Sequence, residues 1–68
     1  MITHKTATAL IEKPSASTIK QAIKESGLSQ AEIARRMGIR PESITRWAQG
    51  RRLPQPVYLK LFIGVVNG

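Results

Sequence analysis

The stretch from Ser29 to Gly50 carries two complete sets of helix start and stop signals within twenty-two residues, which leaves room only for two very short helices joined by a tight turn. Ser29-Gln30-Ala31-Glu32 has the form of a capping box, in which the serine hydroxyl accepts from the Glu32 amide while the glutamate reaches back to Ser29. Leu28 and Ile33 stand where a hydrophobic staple places its two residues, and Ile33, Ala34 and Met37 form an apolar face that Gly38 ends. Ile39 and Ile44 repeat the staple around an N-cap at Arg40, with Pro41 at the first helical position, where a missing amide costs nothing. Ile44, Trp47 and Ala48 then share one face and Gly50 stops the segment. Arg40, Glu42, Thr45, Arg46 and Gln49 are thereby assigned to the outer side of a helix at about 41–49.

Upstream, Ser15-Ala16-Ser17 offers caps, and Ile19, Ala22 and Ile23 repeat at helical spacing until Gly27, which predicts a helix at about 17–26. Downstream, Arg51, Arg52, Leu53 and Pro54-Gln55-Pro56 read as a basic, stiffened loop. A last helix at about 56–66 places Tyr58, Leu61, Phe62, Val65 and Val66 on one stripe, widened by Leu59 and Ile63. That arc exceeds the needs of a small core, so part of it is expected to face a second subunit. Residues 1–14, rich in Thr and Ala and closed by Pro14, are expected to form an arm, flexible or strand-like, ahead of a domain over 15–68. The sequence-based fold class is therefore all-α, with four to five short helices.

Composition narrows the function. The chain has 68 residues and no cysteine, so disulfides and thiolate metal sites are excluded, and one His cannot make a multi-histidine site. So small a core gains from a partner subunit. No cofactor or small-molecule ligand is expected. No run approaches the roughly 20 apolar residues of a membrane span, and the expected place of action is the cytoplasm. The formal charge is +7, and all six arginines lie between residues 35 and 52, where Glu42 is the only acid. The five lysines lie outside that interval. Arginine's planar fork matches phosphate and the guanine edge, so the middle of the chain reads as a surface for nucleic acid. Four scattered Glu and a single His in the arm offer no set of nucleophile, base and orienting group, which argues against an enzyme. Short helices stopped by glycine suit a globular domain better than a membrane-surface binder. Trp47, Tyr58 and Phe62 all fall in core phase and leave no stacking platform for single-stranded RNA.

The string Gly27-Leu28-Ser29-Gln30-Ala31-Glu32-Ile33-Ala34, then Met37-Gly38-Ile39, Ser43-Ile44, Trp47 and Gly50, resembles the phage-repressor and Cro-like helix-turn-helix family over about residues 17–64. The resemblance implies a repressor that binds a palindromic double-stranded DNA operator as a homodimer, with a DNA-binding antitoxin as the alternative. By position, it implies base contacts at Arg40, Pro41, Glu42, Thr45 and Arg46 and phosphate contacts at Gln30, Ser43, Gln49 and Arg51, to which the basic loop adds Arg52. The chemistry of the residues fits: Arg bonds guanine O6 and N7, Glu accepts from cytosine N4, and Thr touches the thymine methyl. Gln30 stands at a helix N-terminus, where free amides favour a phosphate. Some relatives bury an Arg–Glu pair where this chain has Ile23 and Ala48, and with the chain ending at Gly68 the fifth helix of the family is expected to be missing.

Overall fold

The computed structural model describes all 68 residues and contains five α-helices and no strand. They are α1 (His4–Glu12), α2 (Ala16–Ser26), α3 (Gln30–Met37), α4 (Pro41–Gln49) and α5 (Pro56–Asn67). Four match the sequence-based helices to within one or two residues. The first replaces the expected arm.

Helix α1 exists because Thr3 caps it, its hydroxyl accepting from the Thr6 amide at 3.2 Å, and because Ile2, Thr6 and Leu10 recur every four residues. All three are buried, and Ala7 packs beside them against α2 and α5. The expectation of a flexible or strand-like arm is thus corrected: Thr6 occupies an apolar position and hides the stripe. The helix count reaches five at the N-terminus.

A carboxylate from α2 fixes α1. Glu25 Oε1 accepts from the Thr3 amide at 2.9 Å, and Oε2 accepts from the Thr6 hydroxyl at 3.0 Å and the Gln21 side-chain amide at 2.7 Å. The Thr3 amide and then the Gln21 amide pull the Glu25 pKa from 4.5 down to about 2. A carboxylate depressed in the folded state contributes stability that is complete above its unfolded pKa and is lost as pH falls through the folded one. Glu25→Gln is therefore expected to melt below the parent at neutral pH, with the gap narrowing between pH 4.5 and about 2. Thermal melts across that window check this; a gap independent of pH would show that the charge plays no part.

The core holds Ile2, Leu10, Ile19, Ala22, Ile33, Ala34, Met37, Ile44, Trp47, Ala48, Phe62 and Val66. Burying each of the larger of these side chains contributes roughly 1.5–3 kcal/mol. Trp47 meets Phe62 edge to face, with ring centroids 6.1 Å apart and planes at 89°, so the indole is a core residue as its phase predicts. Ala48 is buried and Ile23 partly so. Tyr58 and Leu61, expected on the core stripe, are instead 39% and 47% exposed, because Phe62 and Val66 centre the buried face of α5.

Candidate nucleic-acid interface

Helix α3 starts where Ser29 Oγ accepts from the Glu32 amide at 3.1 Å, but the reciprocal half of the capping box does not form. The Glu32 carboxylate is taken by Arg35 at 2.6 Å and Arg36 at 2.8 Å, one turn along the same helix. These bonds join two ionised partners, and those from Arg36 and then Arg35 lower the Glu32 pKa.

At the far end of α3, Gly38 adopts φ 72° and Ile39 donates back to the Ala34 carbonyl at 3.0 Å, turning the chain sharply into α4. Arg40 is the N-cap of α4 but makes no side-chain cap bond, and Pro41 follows at the helix start. Gly50 closes α4 at φ 77°, and a Cβ there would lie 3.3 Å from the Ala16 Cβ, so this position admits glycine on two counts. The Arg51 amide, bonded to the Arg46 carbonyl at 3.1 Å, ties the basic loop to the end of the helix.

With Ile44, Trp47 and Ala48 turned inward, α4 presents Arg40, Pro41, Glu42, Arg46 and Gln49 to solvent, while Ser43 and Thr45 are half-buried. Ion pairs occur only at Glu32, so Arg40, Arg46, Arg51 and Arg52 keep free guanidinium groups and Glu42 a free carboxylate. The sequence-wide arginine cluster therefore divides into two tied residues on α3 and four free ones on or beside α4.

Two groups of site residues meet in space. The Thr45 hydroxyl donates to Gln30 Oε1 at 2.9 Å and lies 3.3 Å from the Pro41 carbonyl. Its proton is spent within the protein, leaving the Thr45 methyl and the Gln30 amino group for an outside partner. Arg46, Ser43, Arg52 and Gln55 line one concavity of about 220 Å³, together with Ile39, Trp47, Leu53 and Tyr58. Gln55 and Tyr58 were not among the sequence-derived site residues. The signal for Gln55 was the Pro54-Gln55-Pro56 turn beside the two arginines, whereas Tyr58 had been placed in the core by phase. Gln49 and Arg51 are exposed at the end of α4, apart from either group.

A short capped helix, a glycine turn and a second helix with an exposed polar face and unpaired arginines make a helix-turn-helix DNA-binding domain. The family model described as Helix-turn-helix, of the Cro/C1 type, matches residues 19–65. The chain belongs to that family, a family of DNA-binding regulators. Comparison with curated proteins and with solved structures found no match. The family match leaves α1 outside it. No helix is long and apolar enough to cross a membrane.

Proposed function

We propose that this protein represses transcription from the cytoplasm by binding, as a symmetric homodimer, a palindromic operator in double-stranded DNA. Helix α4 enters the major groove, with Arg40, Pro41, Glu42, Thr45 and Arg46 toward base edges and Gln30, Ser43, Gln49, Arg51 and Arg52 on phosphates. The observation that carries this reading is the set of four unpaired arginines on and beside a helix whose other face is buried. One helix of nine residues reads too few base pairs to define a site by itself, which is why a dimer is part of the proposal. The test is selection of bound duplexes from a random pool. Two inverted half-sites about 10 base pairs apart, centre to centre, are expected; a non-palindromic optimum bound by one chain would overturn the dimeric reading.

The phosphate assignments have their own readout. Each neutralised phosphate contributes about −0.9 to the slope of log affinity against log salt. Arg52→Ala is expected to weaken all duplexes alike and to flatten that slope by about one unit. An altered base preference would instead move Arg52 into the reading set.

A further inference from the structure

On the outer side of α4, three neighbouring side chains offer an acceptor and apolar surface but no donor. Glu42 is the only acid between residues 35 and 52, and its carboxylate is free, since both ion pairs of the protein belong to Glu32. Arg46, one turn further along, is equally free, so the two do not neutralise each other. Thr45 has no proton to give. Its hydroxyl donates to Gln30 Oε1 at 2.9 Å and lies 3.3 Å from the Pro41 carbonyl. With the oxygen held there the side-chain rotamer is set, and the methyl is what Thr45 has left for a partner. Pro41, exposed and one turn before Thr45, adds a ring that carries no amide hydrogen.

A carboxylate brought to a polyanion is repelled unless a donor meets it. Major-groove edges differ in what they offer: guanine presents acceptors, adenine a donor beside an acceptor, and thymine an acceptor beside a methyl group. Cytosine alone presents a donor, the N4 amino group, with no acceptor beside it. It is the edge that an acceptor-and-apolar face meets with nothing left unpaired. The ring carbon next to that amino group, C5, is where thymine carries its methyl, and a methyl at the same place on cytosine gives the apolar part of the face something to cover.

We infer that Pro41, Glu42 and Thr45 recognise a cytosine methylated at C5, the carboxylate accepting from the N4 amino group while the Thr45 methyl and the Pro41 ring cover the 5-methyl group. This rests on the operator reading and deepens it, naming the chemical state of one base in each half-site. Arg46, with its free fork, is left for the guanine of a neighbouring pair. Occupancy of the operator then depends on the methylation of the DNA as well as on its sequence.

The test starts from the duplex selected out of a random pool. Each cytosine in turn is replaced by 5-methylcytosine or, together with its partner base, by a thymine–adenine pair, and affinities are read by competition at one salt concentration. At one cytosine per half-site, methylation is expected to raise affinity about four-fold, the yield of one buried methyl-sized group. Thymine at the same place is expected to lower it about ten-fold, because its O4 faces the carboxylate. Thr45→Ser keeps the hydroxyl and removes the methyl, so it is expected to abolish the gain from methylation and to bind the unmethylated duplex as before. Glu42→Gln, whose amide can donate to thymine O4, is expected to remove most of the thymine penalty. An acid serving only the first turn of α4, where the helix dipole favours it, would on replacement lower the melting temperature and leave base preference alone. That result overturns the inference and leaves the operator reading standing, as does methylation that helps at no cytosine or a gain that survives Thr45→Ser. A pool that yields no preferred duplex overturns the operator reading and the inference with it.

Discussion

Arg46→Ala is expected to weaken binding to the preferred operator by about 1–3 kcal/mol and to relax discrimination at one position per half-site, with little effect on non-specific DNA. Arg46 lies on the exposed face of α4, one residue before the buried Trp47. The rival role, an ion pair with Glu42 one turn earlier, is not formed, since both ion pairs of the protein belong to Glu32. Removing the guanidinium therefore deprives the helix of no internal partner, and the loss should appear in affinity, not in folding. Competition binding and thermal melting on the same variant decide it. A lower melting temperature with intact base preference would make Arg46 a support of the helix.

Phe62→Ala is expected to lower the melting temperature by roughly 12–40 °C, at about 4–8 °C per kcal/mol for a domain of this size. The ring is fully buried against Trp47 and its removal leaves a cavity, at a cost of about 3–5 kcal/mol. A chain of 68 residues has, by the usual yield per residue, roughly 3–10 kcal/mol in hand. Because Trp47 sits on α4 between Arg46 and Ala48, the same substitution loosens α4 and should weaken DNA binding. Circular dichroism in the near ultraviolet, with thermal melting, checks this. A cooperative transition within about 5 °C of the parent would mean that the core closes around the gap.

The unit from Ser29 to Gly50 was legible in the sequence because its signals are local. Ser29, Gly38, Pro41 and Gly50 act on neighbours within a turn or two, and the inward residues Ile33, Ala34, Met37, Ile44, Trp47 and Ala48 fall on the expected faces. Helix α1 was not legible, because the face it buries carries Thr6 and the group that fixes its start is Glu25, 22 residues beyond Thr3. The half-formed capping box shows a competition that the motif alone conceals: the Glu32 carboxylate bonds Arg35 and Arg36 and not the Ser29 amide. At the interface, phase arguments brought the residues of α4 to the surface, but the bond between Thr45 and Gln30 joins two helices and has no signature in either segment.

That bond bears on how such a protein could acquire a new target. Under the proposed reading, position 45 is shared between the face turned to the bases and Gln30 at the start of α3, so replacing Thr45 releases Gln30 as well. Glu42 and Arg46 have no such tie. On that reading, divergence of the recognised sequence proceeds through those two residues one at a time, whereas a change at Thr45 also frees the Gln30 side chain.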